Sequence, residues 1–244
     1  IADFLPKLSE CGIPVIPRVN SVESGLFEGD LNAVVGPNIK AISVGKINSG
    51  DDIHRISEMI RSAESSANLP TGQIRLIPWI ETAMAVIKAY EICTASKRVV
   101  SVAFGAEDFT NDMDIERRDD ESEVLYAKNV VCTSAKAAGI YSLDTPFFGF
   151  RNPDALCKNV REARSYGFKG KFAIHPAQIE IINNGFSPSS SELKYAQKIV
   201  DVYEEAARSG RGSTSLDGKV IDTPVVLRAK NVLKQASQKQ VTQD

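Results

Sequence analysis

The sequence predicts an α/β protein built on a parallel sheet, and three observations carry that reading. Short apolar, β-rich runs alternate with longer segments of helical character, the grammar of repeated βα units. Several runs, VVSVAF at 99–104 among them, do not alternate with polar residues, as expected of strands covered on both faces. Polar residues stand at or just past the carboxyl end of each run: Arg18, Lys46, Glu81, Asp108, Asp144 and His175. A (βα)8 TIM barrel gathers all such ends at one mouth, where barrel active sites are built. An open doubly wound sheet gathers only those beside its switch point, and no GxGxxG or P-loop pattern follows any strand here. The expected architecture is therefore the barrel, with six strands visible of the eight that closure needs and the first two expected to lie before Ile1.

The strands are expected at 13–20, 39–47, 74–81, 98–108, 140–148 and 170–175. Helices are expected between them at 51–65, 82–93, 122–138 and 153–166, the last with Asn152 as its N-cap and Gly167 past its end. After the sixth strand the pattern changes. Phe186-Ser187-Pro188 and three further serines form a linker into a helix over 192–207, followed by a Gly/Ser-rich turn over 209–215. A hairpin, with LDGKVI as its second half, leads to a final helix from about Thr223, with Pro224 in its first turn and frayed residues after Gln235. The expected division is a barrel domain over 1–185 and a C-terminal helical and hairpin extension over 186–244.

Composition excludes several classes. A chain of 244 residues, 43% hydrophobic and 25% charged, is neither disordered nor fibrous and is long enough to bury a sizeable core. With 29 basic against 31 acidic residues it lacks the cationic excess of a nucleic-acid binder. No apolar run approaches the roughly 20 residues that span a bilayer. Cys11, Cys93, Cys132 and Cys157 are scattered without a CxxC or Cys/His cluster, which points to reduced thiols rather than a zinc site or a disulfide framework. The chain starts at Ile1 rather than Met, so it reads as a trimmed or partial product, and a targeting peptide before it would not be visible.

The sharpest chemical signal is the pair Glu81 in IPWIETA and Asp108 in AFGAEDF. Two hard oxygen ligands facing one mouth, with the remaining positions left to water and substrate, suit Mg²⁺. Dipole-complementing carboxylates at two helix starts are the competing reading. Glu107 is placed to orient a ligand or water beside Asp108. Arg18 in PVIPRVNS can hold a substrate carboxylate with a bidentate fork or serve as a surface ion pair, and Lys46 has the same address. His175 reads as a packed, hydrogen-bonded residue and His54 as a solvent-exposed one. Asp222 in GKVIDTPVV reads as an N-cap, and Asp144 as a cap on the helix after its strand.

Five segments in order, PRVNS, LIPWIETAMAV, AFGAEDFTNDM, GFKGKFAIHPAQI and DGKVIDTPVVLRAKNVL, closely resemble the citrate lyase β-like proteins of the HpcH/HpaI aldolase superfamily, relatives of malyl-CoA and citramalyl-CoA lyases. The resemblance implies a Mg²⁺-dependent carbon–carbon lyase on a (βα)8 barrel. It implies a homotrimer in which the C-terminal extension reaches over a neighbour's active site, and CoA thioester and 2-oxo acid as substrates. In that pattern Glu81 and Asp108 resemble the Mg²⁺ ligands, Arg18 the arginine at the substrate's reacting carbonyl, and Asp222 the acid/base aspartate supplied in trans. Lys46 remains from a substrate-binding loop whose usual PKVES is here Gly45-Lys46-Ile47-Asn48-Ser49. The family's opening LYVPG and LDLEDA strands are absent, in keeping with a count of six. A citryl-thioester lyase working on an acyl-carrier partner and a catalytically inactive barrel fragment are the alternatives. Eukaryotic relatives are mitochondrial, so the expected compartment is the mitochondrion in a eukaryote and the cytoplasm otherwise.

Overall fold

In the computed structural model, which describes residues 2–240, each of the six expected strands forms, shorter than the run that announced it. Helix α1 (Leu5–Ser9) precedes β1 (Arg18–Val19), and α2 (Phe27–Val34) returns the chain to β2 (Ala41–Val44). Next come α3 (Gly50–Ser66) and β3 (Arg75–Ile80). The single helix expected over 82–93 is two, α4 (Ala83–Ile87) and α5 (Ala89–Thr94), which meet at Lys88. β4 (Ser101–Phe104) stops at Gly105, and α6 (Ala106–Asp112) starts inside the run read as strand to 108. Asp108 therefore sits on the first turn of a helix rather than at a strand end. α7 (Leu125–Ala137), β5 (Tyr141–Asp144), α8 (Pro153–Tyr166) and β6 (Gly170–Lys171) complete the series. The ends of α8 are as expected, with Asn152 Oδ1 accepting from the Ala155 N–H at 3.1 Å and Gly167 at φ 115°. Asp144 is not a cap: its carboxylate is wholly buried.

The strands form one parallel sheet in the order β1-β2-β3-β4-β5-β6, the connectivity of successive βα units. The sheet curls strongly. Trp79 on β3 stacks on Phe172, just past β6, with ring centroids 4.6 Å apart, whereas three strand spacings on a flat sheet would separate them by about 14 Å. Ile77 and Ala103 pack with the two rings on the same concave face. β1 and β6 are not paired with each other, so these six strands do not close a ring. A closed (βα)8 wall takes eight strands at a fixed tilt and stagger.

The chain divides into two compact units, Ile1–Pro176 and Ala177–Asp244, ahead of the boundary expected at 185. The Ser/Pro punctuation after Phe186 suggested the later boundary, but the βα series already ends with β6. In the second unit α9 (Ile179–Phe186) is followed by α10 (Ser190–Arg208), which starts on a capping box between Ser189 and Glu192. β7 (Thr214–Leu216) and β8 (Lys219–Ile221) pair antiparallel around Asp217 and Gly218, both at positive φ, as a two-residue hairpin turn requires. LDGKVI thus contains the turn and the end of β7 as well as β8. α11 (Thr223–Gln240) packs on α10 around Ala196, Ile199, Val200, Ile221, Val226 and Ala229. It stays helical through 236–240, where fraying was expected; 241–244 lie outside the described residues. The four cysteines are unbridged, and no helix among the described residues is long and apolar enough to cross a membrane.

A buried ion pair ties the first unit's layers together. α3 begins on a capping box between Ser49 and Asp52 and buries Ile53, Ile56 and Ile60. One turn further, Glu64 is wholly buried and accepts from the backbone N–H of Gly72 at 2.9 Å and of Ile74 at 2.7 Å. Arg98 closes on both of its oxygens, at 2.8 and 2.7 Å, and also donates to the Ile74 carbonyl. Burial by itself would raise the Glu64 pKa, but the hydrogen bonds from Arg98, Ile74 and Gly72 outweigh it and lower it. Arg98→Met leaves a buried carboxylate with only its two amide partners, and a loss of about 3–5 kcal/mol is expected in urea unfolding. A loss below about 1 kcal/mol would show that the fork contributes little.

Candidate active site

Glu81 follows β3 at the edge where all six strands point their carboxyl ends. Alternation along the strand puts Ile77, Trp79 and Glu81 on one face. The carboxylate has no solvent exposure, an address open to a charged group only if its surroundings answer it. The neighbouring strand ends come so close that a Cβ at Gly45 would lie 2.7 Å from Glu81 Oε1 and one at Gly105 2.9 Å from Oε2. Both positions need glycine for space. Lys46 N–H donates to Oε1 at 2.6 Å, while Oε2 has no hydrogen bond and lies 3.9 Å from an Arg18 guanidinium nitrogen. Burial pushes the Glu81 carboxyl above its ordinary pKa, against the opposing pull of the Lys46 N–H and the nearby cations.

Three charged side chains surround this carboxylate. Arg18 lies with its guanidinium 4.5 Å from the centre of the Trp79 ring, whose Nε1 donates to Ser43 Oγ at 2.6 Å. Lys46 takes a left-handed backbone, φ 59°, in a conformation that costs a non-glycine residue about 1–2 kcal/mol. That turn aims its N–H at Glu81 and its ammonium at Asp108 Oδ1, with Nζ 3.9 Å from Glu81 Oε1. Desolvation would lower the lysine's pKa, but the hydrogen bond to Asp108 and the fields of Glu81 and Asp108 raise it. Glu81, Asp108, Arg18 and Lys46, named from the sequence, thus meet at one point. Asp108 also has the first-turn position of a dipole-complementing carboxylate, whereas Glu81, among the described residues, accepts from the Lys46 N–H rather than from a helix start.

Other expectations separate from this cluster. Glu107 accepts from Arg117 Nε at 2.8 Å, and the same guanidinium reaches Glu121 and Glu123. Glu121 meets Lys128, whose ammonium lies 3.1 Å from Asp144; Asp144 also takes Lys171 at 2.6 Å. This network was not read from the sequence, because its members come from α6, the segment joining α6 to α7, α7, β5 and β6, with no shared spacing. His175 is exposed and stacks on Phe150, and His54 is exposed on α3. In the second unit, Asp222 caps α11 by accepting from the Val225 N–H at 3.2 Å. The capping expectation therefore holds geometrically. No cluster of three His, Cys, Asp or Glu side chains able to cage a metal occurs among the described residues.

The HpcH/HpaI aldolase/citrate lyase family model matches residues 1–176, the whole of the first unit. The chain belongs to that family. It is 35% identical to the citrate lyase subunit beta of Leuconostoc mesenteroides subsp. cremoris, over 91% of this chain and 74% of the relative. It is 29% identical to the mitochondrial citramalyl-CoA lyase of Rattus norvegicus, over 88% of this chain and 67% of the relative. The fold matches protein CitE of Mycobacterium tuberculosis, solved with magnesium, acetoacetate and coenzyme A, at a TM-score of 0.74 and 24% identity over 91% of this chain and 78% of that one. The protein is an enzyme, a lyase of the citrate lyase β-like type.

Lys128 and Lys171 against Asp144 and Glu121 place two cations against two anions in the interior. Burial would raise the Glu121 pKa, but Lys128 overrides it and holds the carboxyl down at about 2, well below its ordinary 4.5. The folded state therefore favours the ionised form, and this contribution is present above pH 4.5 and fades as pH falls from there toward 2. Glu121→Gln is expected to lower the unfolding free energy at pH 7 by on the order of 3 kcal/mol. It should also flatten the pH dependence of denaturant unfolding across that acid window; an unchanged acid limb would contradict this assignment.

Proposed function

We propose that this protein is a Mg²⁺-dependent carbon–carbon lyase that cleaves a hydroxyacyl-CoA thioester of the citramalyl-CoA or malyl-CoA type to an acyl-CoA and a 2-oxo acid. The observation that carries the reading is the convergence of Glu81 and Asp108 on a single cationic group beside Arg18. The residues fit a divalent cation. Glu81 Oε2 is buried without a hydrogen bond, the two donors are hard oxygens, and an ammonium already bridges them. Glu81 and Asp108 would hold Mg²⁺, which when bound supplies Lewis-acid polarisation of substrate oxygens and a template for a chelating oxo acid.

The chain's own groups divide the remaining work. Arg18, pinned over Trp79, offers a preorganised guanidinium to the charge that develops on the thioester enolate. Lys46, on a half-exposed flexible stem, is within reach of a substrate carboxylate at the same mouth. Asp222 acts as the acid/base. It takes the proton of the hydroxyl, the electrons of that O–H bond form the new carbonyl, the carbon–carbon bond breaks, and the enolate left on the acyl-CoA regains a proton at carbon. Asp222 is held by its cap at the start of α11, and it serves the neighbouring protomer of a homotrimer, with residues from 186 onward as the lid. The curled, sequentially ordered sheet forms part of a (βα)8 wall in this reading. The compartment is the mitochondrion in a eukaryote and the cytoplasm otherwise.

A citryl thioester on an acyl-carrier partner is the second reading, favoured by the higher identity to a citrate lyase subunit beta, 35% against 29%. Turnover of free CoA thioesters by the purified chain supports the first reading, and turnover only with an acyl-carrier protein supports the second.

Three measurements test the roles. Asp222→Asn is expected to keep Mg²⁺ affinity in titration calorimetry and lose about 10²–10⁴ in turnover. Glu81→Gln and Asp108→Asn are expected to weaken metal binding first, and an equal loss of affinity in all three would contradict the assignment. In sedimentation the full chain is expected at the mass of a trimer; a monomer that turns over substrate would rule out supply of Asp222 by a neighbour.

A further inference from the structure

Lys46 stands out among the site residues because its placement is costly and its contacts are those of a cation rather than of a packed side chain. Its backbone is left-handed, φ 59°, without the freedom of glycine, although Gly45 is its immediate neighbour. The side chain is about half exposed, at 49%, so burial does not dictate where the ammonium goes. It nevertheless folds back over the mouth to touch Asp108 and to approach Glu81 Oε1, the two carboxylates that face a common point. A compact, strongly hydrated charge on a four-carbon stem can leave that point at little cost in packing.

We propose that Lys46 is an internal competitor of the divalent cation: its ammonium neutralises the Glu81–Asp108 pair, and the metal must displace it to bind. The proposal rests on the Mg²⁺ reading and adds to it a residue that weakens metal binding. Two like charges within about 4 Å of the same carboxylates repel and divide the same anionic field. The displaced ammonium would then be free to meet the carboxylate of an incoming oxo acid, so metal would bind before substrate. A lysine that served the substrate alone would have no effect on metal affinity.

The test is Mg²⁺ titration calorimetry on the full chain without substrate, for the parent protein, Lys46→Met, Lys46→Arg and Glu81→Gln. Lys46→Met keeps the stem and removes the charge, so Kd should fall about three- to tenfold, the range expected for losing a half-exposed ionic competitor. Lys46→Arg keeps the charge and should stay within about threefold of the parent. Binding by Lys46→Met where the parent shows none supports the proposal as well. Equal or weaker binding by Lys46→Met, with Glu81→Gln still impaired, overturns the competition and leaves the metal site standing. Unchanged binding by Glu81→Gln, or no binding by any of the proteins, overturns the metal reading and the competition together.

Discussion

Glu81 is a carboxylate with no access to water, and the carboxyl edge of the sheet is arranged around that fact. A buried charge needs partners, and here they come from three strands at once: the Lys46 amide and ammonium after β2, the Arg18 guanidinium on β1, and the close approach of the backbone at Gly45 and Gly105. Each partner limits what the local sequence can be. Side chains at the two glycines would collide with the carboxylate, and Lys46 is held in a backbone conformation that it would not choose alone.

The curl of the sheet makes this convergence possible. With Trp79 on β3 and Phe172 after β6 stacked face to face, the concave side is too tight for strand ends to stay apart. Trp79 makes three contacts here: its ring packs against Phe172, its indole N–H is satisfied by Ser43, and the Arg18 guanidinium lies against its ring. On the helix side of the sheet, two buried ionic groups hold the layers in register, Arg98 with Glu64 and the lysine pair with Asp144 and Glu121. They play no part in the proposed chemistry, but they fix the elements from which Glu81 and Asp108 extend.

Much of this was legible in the sequence, for identifiable reasons. Strands read correctly because unbroken apolar runs have few other homes than a two-faced parallel sheet. α8 read correctly at both ends because Asn152 and Gly167 each have a local backbone task. The errors also have physical causes. α6 was hidden because a single residue separates it from Phe104, the last residue of β4, and that residue, its N-cap Gly105, supplies no side-chain cap to mark the change. The helix over 82–93 split at Lys88 with no proline or glycine to mark it. Asp144 looked like a cap because a carboxylate after a strand usually is one, and nothing local reveals that Lys128 and Lys171 will bury it.

By itself the sequence determined the kind of protein this is: alternating βα units, a balanced charge, an arginine on the first strand with carboxylates just after the third and fourth, and family segments in the family's order. Those are properties of residue type and spacing, which survive in one dimension. Only the tertiary structure decided that Glu81 is sealed from water, that Lys46 spans it and Asp108, that Arg18 rests on Trp79, and that Asp144 faces two lysines. These facts depend on distances between strands far apart in the chain. Curl and register set such distances, and no local pattern encodes them.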